Sequence, residues 1–465
     1  MAQEYFEKFT QIEASAGDLF DWHTRPCALN RLTPPWENVK TVEALPALRN
    51  GARTTMEVRT GPIKQRWTAE LQNVEEGKQF VDVQVNGPFA EWLHRHRFVR
   101  KGKSTSVLLD EITYRLPLGF VGQFLGGRFV KKRLERTFRY RHRVTADDVA
   151  RLKEPLFSEV SKKRILVSGG KGLVGDSLSP LLKSFGHTVL TLTRNPTSEN
   201  DVGWDLENGT IDLAAAGQID ALIHLAGENI AGGRWTKKRM DRIFYSRKNG
   251  TRLLADTIAR MENPPQVVVS ASGTNYYQST PLNVHNEESP IGTSFLSEVC
   301  REWEGQWWPA EEAGIRVTKL RIGAVLSPAG GMLGKLLPLF LAGGGGPVGD
   351  GKQRLSWIAI DDLVDILHRA VLDKRFEGPV NVTTPHWVTN ADFGKTLGRV
   401  VRRPSFLPAP AFALRAAFGQ LADEALLADV AVEPAKLKEF EYPFRFPKLE
   451  EALCHLLGRR SPKKK

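Results

Sequence analysis

The sequence predicts an α/β chain: a doubly wound parallel sheet with a small C-terminal region, preceded by an α+β domain. Three observations lead there. From residue 163 onward, short apolar runs (KRILVSGG, HTVLTLTR, DALIHLAG, PQVVVSAS, RVTKLRIG and GPVNVTT) recur at intervals that leave room for helices. That alternation builds a parallel sheet covered on both faces. Before residue 150 the runs GARTTMEVR (51–59), IKQRWTAEL (63–71), QFVDVQV (79–85), WLHRHRFV (92–99) and SVLLDEITYRL (106–116) alternate apolar with polar residues, as antiparallel strands do. The length, 465 residues, exceeds what one core usually holds.

In the first part, a helix is expected from Phe120 to about Arg143, with Leu125, Phe129, Leu134 and Phe138 near helical spacing. A curved sheet closed over one such helix encloses an apolar cavity. Trp36, Trp67, Phe80, Phe89 and Trp92 are candidates to line it, or plain core. His94 and His96 are two apart and face the same side of a strand. A metal needs at least a third ligand, which the sequence does not point to, so no metal site is expected. The polar stretch RLKEPLFSEVSKK (151–163) reads as a linker. Expected boundaries are therefore 1–150 for the first domain, 164–400 for the second, 401–457 for a small C-terminal domain and 458–465 for a basic tail.

Composition narrows the function classes. Hydrophobic residues at 41% and charged residues at 25% are ordinary globular values, which argues against disorder. The net charge of +12 gathers in RHRFVRKGK (95–103), KKRLERTFRYRHR (131–143) and RRSPKKK (459–465). No nucleic-acid-binding signature accompanies them, so a solvated helix face and tail are expected rather than specific nucleic-acid binding. Cys27, Cys300 and Cys454 lie far apart, which fits a reducing compartment rather than a disulfide framework. The opening MAQEYFEKF has no basic segment followed by an apolar one. No run approaches the roughly 20 apolar residues of a membrane span. A cytoplasmic protein is expected; the oligomeric state is not legible.

The strongest motif is SGGKGLVGDSLSPLLKSFGH (168–187). Gly170, Gly172 and Gly175 spell G-x-G-x-x-G directly after the strand ILVS and before an amphipathic helix, the context a dinucleotide fingerprint requires. Glycines allow the tight turn and let backbone N–H groups and the helix N-terminus meet a pyrophosphate. The next strand ends in Thr193 and Arg194, where an NAD-binding protein usually carries an acidic residue for the ribose 2′-hydroxyl. Arg194 suits a 2′-phosphate, and Lys171 adds positive charge, so NADP(H) is expected over NAD(H).

From about 163 to 457 the chain resembles the atypical epimerase subgroup of the extended short-chain dehydrogenase/reductase superfamily, an NAD(P)-binding Rossmann fold. The stretches that carry the resemblance are SGGKGLVG, LIHLAGENIAGGRWT, SRKNGTRLL, VVVSASGTNYY, FLSEVCREWE, RIGAVLSPAGGMLGKLLPLF, GDGKQRLSWIAIDDLV and NVTTPHWVTNADF. Residues 405–457 are similar to the small C-terminal domain of unknown function found in this subgroup. Residues 1–150 resemble START-like helix-grip domains (polyketide cyclase and lipid-binding relatives), which implies an apolar ligand delivered to, or sensed by, the second domain. The resemblance implies that Gly169, Gly170, Lys171, Gly172, Leu173, Val174 and Gly175 form the pyrophosphate loop and that Arg194 meets the 2′-phosphate. It also implies that Leu225, Ala226 and Gly227 pass beside the adenine ribose, that Asp205 sits near the adenine, and that Ser270 neighbours the cofactor.

In the wider superfamily a Ser or Thr after the fifth strand polarises the substrate, and a Tyr-x-x-x-Lys pair on the next helix moves the proton. Ser272 lies at the serine position. The helix SFLSEVCREWEGQW (294–307) carries no tyrosine and no lysine, whether Phe295 is aligned with Val299 or Leu296 with Cys300. An unassisted tyrosine has a pKa near 10, so little is phenolate at neutral pH. Tyr276 or Tyr277 is then a replacement proton donor, with Arg234, Lys237 or Arg247 as charge partner, or else a pocket wall or plain packing. Lys335, Arg354, Trp357 and Asp361 are candidates to border the substrate pocket, although Asp361 reads equally as a helix N-cap. Cys300 reads as a small buried residue. Two functions stay open: an NADP-dependent oxidoreductase or epimerase-like enzyme acting on a small molecule, and an NADP(H)-binding sensor without turnover.

Overall fold

The computed structural model describes residues 3–61, 63–117, 119–159 and 161–460, and of 60, 119–125 and 214 the backbone only. The chain divides near residue 160 into two compact units.

The first unit runs β1 (Glu4–Ile12), α1 (Ala16–Thr24), α2 (Ala28–Leu32), β2 (Asn38–Glu43), β3 (Arg53–Thr60), β4 (Ile63–Glu75), β5 (Gln79–Asn86), β6 (Glu91–Arg100), β7 (Ser106–Arg115) and α3 (Gly119–Leu152). The seven strands pair antiparallel in the order β1-β7-β6-β5-β4-β3-β2. In β7 strict alternation buries Leu108, Asp110, Ile112 and Tyr114 on one face, and the neighbouring β6 buries Trp92, His94, His96 and Phe98. Helix α3 lays Leu134 and Phe138 on one core cluster, joined by Val130. Phe129, expected on that face, is 61% exposed, because the i, i+4, i+8 stripe begins one residue later. Leu125 lies outside the residues whose side chains are described. Of the expected lining, Phe80 and Trp92 are buried core, while Trp36, Trp67 and Phe89 pack partly buried against it. The stretch 151–163, expected as a linker, contains the last turn of α3 and a short helix α4 (Pro155–Ser158).

The second unit begins with β8 (Arg164–Ser168), α5 (Leu173–Ser184), β9 (Thr188–Thr193), β10 (Asp201–Asp205), β11 (Thr210–Ile211), α6 (Leu213–Ala216), β12 (Ala221–His224), α7 (Lys237–Ala259) and β13 (Val267–Gly273). After a 3₁₀ turn at Thr274–Tyr276 come β14 (Val284–His285), α8 (Phe295–Gly305), α9 (Trp308–Glu312), β15 (Arg316–Ile322) and β16 (Ala324–Leu326). Then follow α10 (Gly331–Leu341), β17 (Arg354–Leu355), β18 (Trp357–Ala359), α11 (Ile360–Leu372), β19 (Gly378–Val382), β20 (Val388–Thr389) and α12 (Asn390–Val401). The chain closes with α13 (Ala411–Phe418), β21 (Ala431–Val432), α14 (Ala435–Glu439) and α15 (Leu449–Leu456).

The main sheet has the order β11-β10-β9-β8-β12-β13-β15-β19. Every pair except β10–β11 is parallel. Strand order reverses between β8 and β12, and the crevice at such a switch point is where open α/β sheets bind nucleotides. The C-terminal region belongs to the same compact unit: β21 pairs with β14, and α15 packs on α12. No helix among the described residues is long and apolar enough to cross a membrane.

Candidate functional site

The glycine loop is shaped by close approaches that leave no room for a side chain. Gly169 has φ +72°, and a Cβ there would fall 2.8 Å from the Leu225 carbonyl carbon and 2.9 Å from Ala226 N. At Gly175 a Cβ would meet Gly169 O and Gly170 Cα at 2.5 Å, and at Gly170 it would meet Thr191 Cγ2 at 3.0 Å. The first turn of α5, with Leu173 and Val174, is thereby pressed onto the end of β8. Ser168 ties that end to the next strand: its hydroxyl lies 2.7 Å from His224 Nδ1 and accepts from Leu225 N and Ala226 N. Gly172 and Lys171 stay exposed at the loop tip. The result is a backbone cradle at a helix N-terminus, the shape and polarity a pyrophosphate needs.

Arg194 is exposed directly past β9. Asp205 accepts from Glu207 N, Asn208 N and Asn208 Nδ2, closing the turn from β10 into β11. Gly227 is pressed against Arg247, whose Cζ would lie 2.8 Å from a Cβ at that position. Arg247 is buried, donates to the carbonyls of Glu228 and Ile243, and lies 4.7 Å from the Trp303 ring centroid. Burial lowers its pKa to about 10, against the pull of Cys300 and Glu228.

The end of β13 carries a buried polar network. Register sets Ser272 opposite Arg321 of β15. The Ser272 hydroxyl donates to Glu304 Oε1 of α8 at 2.7 Å, and Arg321 clasps the same carboxylate through Nε and Nη2, each at 2.9 Å. Burial opposes charge on Arg321, but the bonds and charge of Glu304 outweigh it and hold the guanidinium cationic. Arg321 Nη1 also donates to the Tyr277 hydroxyl at 2.9 Å, which in turn donates to Asn381 Oδ1 at 2.7 Å. Tyr277 is 1% exposed, and burial pushes its hydroxyl up to about 12 despite Arg321. Its proton is engaged in the packing of the network. Tyr276 is half-buried; its ring centroid lies 3.4 Å from Arg321 Cζ, and its hydroxyl has no hydrogen bond among the described residues. Ser270 is buried and, among the described residues, its hydroxyl donates only to the Ala271 carbonyl, at 3.3 Å.

Leu296 and Cys300 are both buried on α8. The Cys300 thiol lies 3.7 Å from Gly273 O, and burial, with Glu304, pushes it up to about 11. Of the charge partners expected for the tyrosines, Arg234 binds the Ala416 carbonyl, Lys237 begins α7 in solvent and Arg247 lies beside Cys300; the cation against Tyr276 and Tyr277 is Arg321. Lys335 is exposed and binds the Ala231 carbonyl, and Arg354 pairs with Asp429. Trp357 is wholly buried core. Asp361 is not the N-cap, which is Ala359; it lies buried 3.3 Å from His455 of α15. Sequence reasoning missed Arg321, Glu304 and Asn381, although each is a polar residue on an apolar face, the signal that marks a buried network.

Known proteins fit this arrangement. Residues 165–382, from β8 to the end of the parallel sheet, match the model of the NAD dependent epimerase/dehydratase family. An epimerase family protein of Mycobacterium bovis is 38% identical over 296 residues, 63% of this chain and 98% of that protein. The chain belongs to this epimerase family. A crystal structure of a nucleoside-diphosphate sugar epimerase from Corynebacterium glutamicum aligns with a TM-score of 0.82 at 30% identity, over 98% of this chain and 91% of that one. Human epimerase family protein SDR39U1, solved with NADPH, aligns at 0.59 and 35% identity, over 63% of this chain and 99% of its own. The segments flanking the epimerase region match too. Residues 12–141 match the polyketide cyclase / dehydrase and lipid transport model, and 409–456 match a domain of unknown function.

His94 and His96 share a face of β6 as expected, and they meet Asp82 and Asp110 from the strands on either side. The third group whose lack led to the expectation of no metal site is therefore present.

Proposed function

We propose that the chain binds NADP(H) between β8 and β12 and acts as an NADP-dependent oxidoreductase or epimerase-like enzyme on a small molecule held against β13. The cradle of Gly169, Gly170 and Gly175 at the switch point of the sheet carries this reading. The exposed Arg194 favours the 2′-phosphate, and the human relative solved with NADPH supports the same cofactor. A bound nicotinamide supplies a hydride donor or acceptor.

The chain's own groups then sort by what they have left to offer. Ser272 has committed its proton to Glu304, so its oxygen offers lone pairs and accepts a hydrogen bond from a substrate hydroxyl. Tyr276, with its hydroxyl unengaged and the Arg321 charge against its ring, is the proton donor. Arg321 supplies the fixed positive charge that the missing lysine would have given. The Corynebacterium neighbour makes nucleoside-diphosphate sugars the first substrates to test. The first domain holds an apolar ligand, in keeping with its lipid-transport match. Free cysteines fit a cytoplasmic setting.

Helix α8 carries no tyrosine or lysine at Phe295 and Val299 or at Leu296 and Cys300, which favours the second reading: an NADP(H)-binding sensor without turnover. The two separate in one experiment. NADPH deuterated at the transferable position is incubated with nucleoside-diphosphate sugars, ketones and aldehydes, and wild type is compared with Ser272→Ala and Tyr276→Phe. The enzyme reading expects label transfer or inversion of a substrate stereocentre, slowed at least about tenfold by either substitution. Tight NADPH binding with neither outcome for any substrate leaves the sensor.

A further inference from the structure

A second concentration of chemistry lies in the first unit. Asp82 of β5, His94 and His96 of β6 and Asp110 of β7 face the same side of the sheet, because register sets Asp82 opposite His94 and His96 opposite Asp110. Asp82 Oδ2 lies 3.0 Å from His94 Nδ1 and 3.1 Å from His96 Nε2. Asp110 Oδ1 lies 2.8 Å from the other nitrogen of each ring. From α3, His142 reaches Asp110 Oδ2 through Nε2 at 2.6 Å and Thr10 Oγ1 through Nδ1 at 2.8 Å.

Four short carboxylate–imidazole contacts need four positive partners. Two neutral imidazoles carry one N–H each. The other two contacts then set a nitrogen lone pair against a carboxylate, in a site where the side chains of His94, His96 and Asp110 are 3%, 11% and 4% exposed. Two further protons or one cation resolve the conflict. Two protons would make both rings imidazolium with centroids 3.8 Å apart, a like-charge pair in a desolvated place.

One metal ion resolves it more simply. Asp82 Oδ2, His94 Nδ1 and His96 Nε2 converge, and their 3.0 and 3.1 Å separations are near the ~3.4 Å edge of a tetrahedron with bonds of about 2.1 Å. The opposite ring nitrogens then carry the protons and face Asp110, a carboxylate behind the imidazoles of the kind that fixes the tautomer of metal-ligating histidines. Asp82, at 20%, is the most exposed of the group and gives an entry side.

We propose that Asp82, His94 and His96 hold one divalent first-row transition-metal ion of the zinc or iron(II) class, with Asp110, steadied by His142, orienting both rings. Three protein ligands leave a coordination position open, so a molecule bound in this domain meets the ion through an oxygen.

The test uses full-length, untagged protein freed of metal with chelator, then titrated with Co2+ and followed by visible absorption, with Zn2+ as competitor and metal content measured after dialysis. The expected result is one ion per chain, a tetrahedral or five-coordinate Co2+ spectrum, and displacement by Zn2+. His94→Ala and His96→Ala abolish uptake, and Asp110→Asn weakens it about 10- to 100-fold. Asp82→Asn, which keeps the side-chain volume, lowers affinity with an unchanged circular dichroism spectrum. Failure of the wild type to retain a stoichiometric ion overturns the site, as does undiminished uptake by His94→Ala.

Discussion

Arg321 and Glu304 form a bidentate ion pair with side chains only 5% and 9% exposed, and Ser272 hangs from the same carboxylate. Removing one partner leaves an uncompensated buried charge, at a cost of about 3–5 kcal/mol. Arg321→Met is therefore expected to lower the urea midpoint sharply. The double substitution Arg321→Met, Glu304→Leu is expected to recover much of the loss, since two well-packed apolar groups replace the pair.

The adjacent tyrosines are expected to separate. Tyr277→Phe leaves Asn381 Oδ1 and Arg321 Nη1 short of a partner, which costs about 1–3 kcal/mol in denaturant unfolding. Tyr276→Phe removes a hydroxyl without a partner among the described residues, so stability stays within about 0.5 kcal/mol of wild type while turnover falls.

Glycines of the cradle are expected to part in the same way. Gly175→Ala brings a Cβ to 2.5 Å from backbone atoms, so both melting temperature and NADPH affinity fall. Gly172→Ala meets nothing closer than Gly169 O at 3.2 Å. Its melting temperature holds, while a fluorescence titration shows weakened NADPH binding where the pyrophosphate approaches the backbone.

The proposed preference for NADP(H) places Arg194 at the 2′-phosphate. Arg194→Glu is expected to weaken NADPH at least about tenfold more than NADH, since the new carboxylate repels a 2′-phosphate and suits a 2′-hydroxyl. Equal losses for both nucleotides would remove Arg194 from the site.

Acid stability is expected to depend on buried neutral histidines. Burial lowers His224 to about 3 and His187 to about 4. The unfolded chain takes up these protons as pH falls through about 6.5, whereas the folded chain does not. Their contribution is therefore complete above 6.5 and is lost progressively as pH falls toward 3–4. His224→Gln should flatten the pH dependence of unfolding free energy between pH 4 and 6 by up to one proton, about 1.4 kcal/mol per pH unit.

The parallel sheet and its glycine loop were legible because strand runs and G-x-G-x-x-G are local signals. The first-domain strands β3 to β7 were legible from alternation. Strand β1 was not: as an edge strand it exposes Tyr5 and Phe9, which breaks the pattern. Helix α1 was overlooked although Ser15 and Asp18 form a capping box that the sequence displays. The networks were harder, because Ser272, Glu304 and Arg321 come from three elements joined only by register and packing. Asp82 and Asp110 do sit at apolar positions of QFVDVQV and SVLLDEITYRL, and an acidic residue at an inward position of a strand is a readable sign of a buried partner.

Helix α11 has a consequence for how the protein is made. Asp361, Asp362 and Asp365 are buried along it. Asp362 accepts from Arg445 N and Phe446 N, Asp365 accepts from the Tyr442 hydroxyl at 2.8 Å, and Asp361 lies beside His455. A nascent chain that has just released β19 from the ribosome already contains these carboxylates, and Arg369 to pair with Asp365, but not Tyr442, Arg445, Phe446 or His455. These carboxylates therefore gain their full set of partners only after α15 has emerged, so this second unit completes its packing late in synthesis.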